Sequence, residues 1–358
     1  MKKQVVNNNI FKIRDSSNLI KYKTEEIQNC FENYYKKLYS QAEINNDNQI
    51  HALLESLNLP RITEDQNRIL TKEITEEEID SEISRLKPNK APGTDGYSFE
   101  FYKLLRKPLI NLLKNTLNWV LKEGETPRSW REAFIAVIPK EGKDQLDCAN
   151  YRPVSVLNLD YRLFTAVMAR RLEVILPDII DLDQTGFIKK RQTTDDIRRT
   201  LLVMQKIIKT RTEAVILGLD AEKAFDFDRW NFLYKVIEQF GFNKTFIKTI
   251  QALYCQPTAR VKINGSFSDT FRLHRGCRQG CSISPLLFAI YLEPLSQWIK
   301  QNRNINGIHM EGGEQKIALF ADDVLIDLSQ PGRSLPALIN IMDEFGLMSG
   351  YKLNTKKT

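Results

Sequence analysis

A chain of 358 residues with 42% hydrophobic and 27% charged side chains has material for a large core and is too apolar to be disordered throughout. Five scattered cysteines, at 30, 148, 255, 277 and 281, form no disulfide framework, which excludes a small secreted scaffold and points to a reducing, intracellular compartment. A net charge of +7 leans toward a polyanionic partner, while the start carries no signal peptide and no apolar run approaches a membrane span.

Residues 1–120 read mostly helical. "CFENYYKKLYS" (30–40) sets Phe31, Tyr34, Tyr35 and Leu38 on one helical face. "EITEEEIDSEISRL" opens with a capping box at Thr75 and Glu78. "KPNKAPGTDGYSFEFY" (87–102) is dense in Pro and Gly and reads as a loop. "REAFIAVIPKEGKD" (131–144) looks like a buried strand entering a basic turn. "DDIRRTLLVMQKIIK" repeats apolar residues at 197, 201, 204 and 208, the spacing of an amphipathic helix. "EAVILGLD" (213–220) is apolar on both faces, as a central strand is. "SPLLFAIYLEPLSQWI" places Ser284 as N-cap and Pro285 at the first helical position. "KIALFADDVLIDL" predicts two short strands meeting at a turn. Without regular βαβ alternation the class is α+β.

Three acids stand out. Asp322 and Asp323 sit side by side between apolar runs, where their charges repel. Asp220 closes another apolar strand, a recurrent site position. Asp is also a common turn residue and N-cap, so each alone has a structural explanation. If the two strands pair, however, the carboxylates meet. Such a cluster is stabilised by divalent cations: Mg²⁺ takes carboxylate oxygens and substrate phosphates, and two metals form the clamp of in-line phosphoryl displacement. His274, Cys277 and Cys281 suggest zinc only weakly, because a fourth ligand is lacking nearby and the spacing is irregular.

The sequence resembles the reverse transcriptases of non-LTR retrotransposons of the long interspersed element type. The resemblance rests on "FENYYKKLY", "KAPGTDGYSFEFY", "AVIPKEGKD", "NYRPVSVLNLDYRLFTAVMARRL", "DQTGFIKKRQTTDDI", "LGLDAEKAFD", "GCRQGCSISPLLFAIYLEPL", "LFADDVLI" and "SGYKLNTKKT", all in family order. It implies a right-hand polymerase with fingers and palm and an antiparallel palm sheet. A helical N-terminal extension and fingers base would span 1–120. The reverse transcriptase domain would span 121–358 and end before the thumb. The implied activity is RNA-directed DNA polymerisation with two Mg²⁺ ions, Mn²⁺ being a substitute, on an RNA template, a DNA primer and dNTPs. Nuclear and cytoplasmic ribonucleoprotein locations are implied too.

By motif match Asp220, Asp322 and Asp323 would be the catalytic metal ligands. Lys140 and Arg152 would meet the incoming nucleotide, a point charge and a bidentate fork respectively. Phe225, five residues after Asp220, is similar to a steric gate against a ribose 2′-hydroxyl. Gln279 and Gly280 would line the nucleotide and template pocket, glycine allowing close backbone approach. Lys357 is the candidate general acid toward pyrophosphate.

Departures from the family pattern are "PGTDG" for "PGPDG", "RQGCSISP" for "RQGCPLSP", and Phe227 with Asp228 in place of a basic-then-apolar pair expected on a helix surface. Family members carry an endonuclease before this region and a thumb and Cys-rich segment after it. An alternative to the enzyme is therefore a nucleic-acid-binding relic without turnover.

Overall fold

The computed structural model describes residues 9–40 and 46–354. They fall into two compact units, each assembled from separated stretches. One takes the N-terminal stretch through residue 40, Ile74–Phe164 and Ala252–Cys281; the other takes residues 46–73, Thr165–Gln251 and residues 282–354.

The first unit is built on a mixed sheet in which the predicted strand Glu132–Pro139 is central. It pairs antiparallel with Tyr151–Val156, bringing Ile138 opposite Arg152, and parallel with Thr258–Ile263. The basic turn between the first two strands closes on itself. Lys140 N–H donates to the Asn150 carbonyl at 2.8 Å, and Asp144 and Asp147 accept from Leu146 and Ala149 N–H, the local bonding that favours Asp in turns. Strand Thr258–Ile263 alternates, burying Ala259, Val261 and Ile263. The helix Thr24–Tyr39 covers this sheet with Ile27, Phe31, Tyr35 and Leu38, and Phe31 meets Tyr151 edge-on at 4.9 Å. The Thr75–Glu78 capping box forms as predicted, opening the helix Glu76–Arg85, which packs on the helix Arg106–Glu123.

The second unit carries a three-stranded antiparallel sheet in the order Ile317–Phe320, Asp323–Ser329, Ala214–Leu219. The expected hairpin is present. The strand Ala214–Leu219, however, lies at the edge and Asp323–Ser329 takes the centre, which corrects the central placement read from its apolar run. Residues 214–217 are only half-buried, so apolarity marks the strand but not its number of neighbours. Helices Trp230–Gln239, Ser284–Gln301 and Pro331–Ser349 close the core around Phe232, Tyr291 and Phe345, whose rings lie 5.2–6.2 Å apart. The N-cap of Ser284–Gln301 is Ile283, one residue before the expected Ser284, with Pro285 still in the first turn.

The helix Thr193–Thr210 forms as predicted, but its apolar stripe is outward. Ile197, Leu201, Met204 and Ile208 are 56%, 53%, 45% and 74% exposed, and Val203 on another face is buried. Periodicity identified the helix and misassigned its buried side.

Beside the core sits a buried polar network. Asp183 pairs with Arg199 at 2.6 Å and with Lys300 at 2.7 Å, and Asp181 also reaches Lys300 at 2.7 Å. Glu293 accepts from Asp181 N–H at 3.2 Å and from the Gln297 amide at 2.7 Å. Burial pushes its carboxyl pKa up to about 8. Between its unfolded value near 4.5 and 8 the folded chain retains a proton that the unfolded chain releases, so this group's contribution to stability falls as pH rises. A Glu293→Gln variant is therefore expected to gain on the parent in melts from pH 5 to pH 8. A gap that stays constant with pH would show that Glu293 is not the proton holder.

Candidate active site

The hairpin pairs Phe320 with Asp323, leaving Ala321 and Asp322 as its two-residue loop. Ala321 has φ +58°, a conformation in which a side chain is strained and glycine is the usual occupant. The strain is held from residues 183–186, "DQTG". Gln184, 1% exposed, accepts from Ala321 N–H at 3.2 Å and from Gly186 N–H at 2.8 Å. Main-chain bonds link Thr185 N–H to Leu319 and Leu319 N–H to Asp183, at 2.8 and 2.7 Å. Gly186 abuts Ala321 so closely that a Cβ would lie 2.2 Å from its nitrogen. Arg191 secures this brace through the Gln184 and Ile180 carbonyls at 2.7 and 2.8 Å. Sequence reasoning used this segment only as a family signature.

The sheet register places Leu219 opposite Val324. One step further along, Asp220 follows Leu219 and Asp323 precedes Val324, and the two acids line one surface depression with Phe320 and Asp196. Asp322 is half-exposed and Asp323 exposed. Tyr351 lies within electrostatic reach of the same acids. Its phenol is buried and its pKa is raised, first by desolvation and then by the negative fields of Asp322, Asp220, Asp228 and Asp323. Asp228 was expected on a helix surface; it instead follows the short helix Ala224–Phe227 and is 2% exposed.

Phe225 lies on that short helix. Its ring tilts against Phe288 at a centroid distance of 4.4 Å and meets Phe187 edge-on at 6.3 Å. Packing fixes the ring while leaving it half-buried.

The remaining candidates lie in the first unit. Lys140 follows the strand Glu132–Pro139 and donates to the Ala149 carbonyl at 3.2 Å. Arg152 is exposed on the adjoining strand. Gln279 accepts from Ser155 N–H at 2.8 Å, and Gly280, at φ +121°, is so close that a Cβ would stand 2.5 Å from the Ser155 oxygen. The four are therefore distributed along one strand pair and the loop docked on it. The same loop hides two anchors that the sequence did not reveal as structural. Arg275 donates to the Leu38 carbonyl at 2.8 Å, and Arg278 to those of Trp130 and Arg131 at 2.8 and 2.9 Å. Cys277 and Cys281 are buried, their sulfurs near the hydroxyls of Tyr254 and Tyr161. Lys357 lies outside the described residues.

Divalent metal fits the second unit's acids chemically: Asp220 and Asp323, hard oxygen donors, stand at facing ends of paired strands in an open depression, and Asp322 sits next to them in the hairpin loop. Among the described residues no three acidic, His or Cys side chains are already grouped to hold a metal ion. No helix of the described residues is long and apolar enough to cross a membrane.

Comparison with known proteins follows the same line. Residues 138–358 match the family described as reverse transcriptase (RNA-dependent DNA polymerase). The chain is 27% identical over 336 residues to the transposon TX1 uncharacterized 149 kDa protein of Xenopus laevis, covering 93% of this chain and 25% of that protein. It is 28% identical over 292 residues to the Pol polyprotein of retrotransposable element R2 of Popillia japonica, covering 80% and 39%. To the RNA-directed DNA polymerase of mobile element jockey of Drosophila funebris it is 27% identical over 311 residues, covering 85% and 32%. The chain thus spans between a quarter and two-fifths of the length of these relatives.

Proposed function

Because the chain belongs to the reverse transcriptase (RNA-dependent DNA polymerase) family and has its α+β fingers-and-palm fold, we propose that it is an RNA-directed DNA polymerase of a non-LTR retrotransposon. It would add dNTPs to a DNA primer annealed to an RNA template. The observation that carries this reading is the strand pairing that brings Asp220 beside Asp323, with Asp322 in the adjoining hairpin loop.

The family uses divalent metal, and in this reading Asp220, Asp322 and Asp323 would hold two Mg²⁺ ions. When bound, these supply charge neutralisation at the primer hydroxyl and the triphosphate. The unit with the three-stranded sheet is the palm and the other contributes fingers. Lys140 and Arg152 would contact the triphosphate, and Gln279 and Gly280 the base pair being formed. Phe225 excludes a 2′-hydroxyl by bulk.

Primer extension is the test: the 358-residue chain with RNA template, DNA primer, Mg²⁺ and labelled dNTPs. Extension supports the enzyme. A folded chain that binds the hybrid and extends nothing overturns it in favour of a binding relic. The gate makes its own prediction. Phe225→Val is expected to narrow the preference for dNTPs over NTPs at least tenfold, because a clash of the 2′-hydroxyl with the ring is relieved. An unchanged ratio of the two kcat/KM values would remove Phe225 from this role.

A further inference from the structure

The helix Pro331–Ser349 ends on Gly350, whose φ of +89° reverses the chain, and its N–H closes on the Gly346 carbonyl at 2.9 Å. The reversal is confined. A Cβ on Gly350 would lie 2.5 Å from the Phe227 oxygen, and the Ser349 carbonyl accepts from Tyr291 hydroxyl at 2.8 Å and from Arg229 N–H at 3.0 Å. The residues that follow then run antiparallel beside the segment that begins with Asp220. Leu353 bridges Ala221, Glu222 N–H donates to the Lys352 carbonyl at 2.8 Å, and Lys352 pairs with Glu222 at 2.7 Å.

The last described residue of this return, Asn354, grips Asp220 twice. Its backbone N–H donates to the Asp220 carbonyl at 2.8 Å, and its side-chain amide donates to Asp220 Oδ2 at 2.8 Å. The first bond fixes where the amide stands, and the second fixes the carboxylate rotamer. An ionised carboxylate only accepts and offers about four lone-pair sites. One amide donor occupies one of these sites. A neutral donor suits this position: a Lys would compete with the metal for charge, whereas an aliphatic side chain would release the carboxylate to rotate.

Resting on the polymerase reading above, we propose that Asn354 is the positioning residue for Asp220, holding its carboxylate oriented for divalent metal before substrate arrives. Partners of metal ligands in other proteins set affinity by roughly 10- to 100-fold, and Asn354 is placed to do the same.

The test is direct metal binding by the 358-residue chain without nucleic acid or nucleotide, measured by Mn²⁺ electron paramagnetic resonance and by calorimetric Mg²⁺ titration. The parent, Asp220→Asn, Asn354→Leu and Asn354→Ser are compared, each with a thermal melt. The expected result is that both Asn354 variants bind Mn²⁺ roughly 10- to 100-fold more weakly while melting near the parent. Primer extension should then fall through a raised Mg²⁺ requirement and recover at high Mg²⁺, which a purely structural lesion would not do. Asn354→Ser keeps the backbone bond and decides the matter if the Leu variant fails to fold. Parent-like Mn²⁺ affinity in a folded Asn354 variant overturns the positioning role alone. A parent that binds no Mn²⁺, or an Asp220→Asn variant that binds as the parent does, overturns the metal reading and the positioning role with it.

Discussion

An Asp322→Asn/Asp323→Asn variant is expected to lose primer extension by roughly a thousandfold or more while melting at or above the temperature of the parent. The size follows from what metal-borne charge stabilisation contributes to phosphoryl transfer, several kcal/mol, at about 1.4 kcal/mol per decade of rate. Retained stability follows from the site itself. Asp323 is exposed and Asp322 half-exposed, so Asn, of the same shape, leaves no cavity and buries no new polar group. It also removes repulsion among carboxylates that act together on Tyr351. Function opposes stability here, as expected of a site assembled for its ligand. Single-turnover extension and thermal melts on the same preparations check both halves. Loss of activity together with a large loss of melting temperature would make the acids structural.

Much of this site was legible because its parts are local. Strand, turn and acid occur within "IALFADDVLIDL", and two apolar runs ending in acids invite the pairing that the register shows. The Thr75–Glu78 box is legible for the same reason: its bonds span three residues. What sequence reasoning missed depends on distant partners. Asn354 is 134 residues from Asp220, and Gln184 is 137 from Ala321. Neither amide differs in composition from a solvated surface residue. Asp228 was expected on a helix surface from the family's residue pair at that place, whereas the short helix stops at Phe227. The helix Thr193–Thr210 shows the converse limit. Its apolar spacing states that a face exists, but Val203 rather than Leu201 is buried because a neighbour, not the stripe, decides what is covered. Likewise an apolar run marks Ala214–Leu219 as a strand, yet which strand takes the centre depends on a hairpin a hundred residues later.

The brace formed by residues 183–186 predicts a second large effect, at a residue that bears no functional group. Gly186→Ala would set a methyl 2.2 Å from Ala321 N and 2.9 Å from Ala321 Cα. Both are backbone atoms, so no side-chain rotation relieves the clash. The Gln184 Oε1 that holds Ala321 is itself only 3.0 Å away. Either the brace retreats, and Gln184 loses its hold on a residue kept at φ +58°, or the loop moves and carries Asp322 and Asp323 with it. Overpacking of this kind costs about 1–3 kcal/mol. A displacement of about 1 Å at reacting groups costs on the order of a hundredfold in rate. Gly186→Ala is therefore expected to lower the melting temperature by several degrees and primer extension by about a hundredfold. Gly332→Ala is the control. A Cβ there meets nothing within 4 Å, and the residue lies in the first turn of the helix Pro331–Ser349, so the change should be neutral or stabilising by up to about 1 kcal/mol. If Gly186→Ala lost stability but kept full extension, the loop geometry would not depend on the brace. The strain at Ala321 would then have to be held by the hairpin alone.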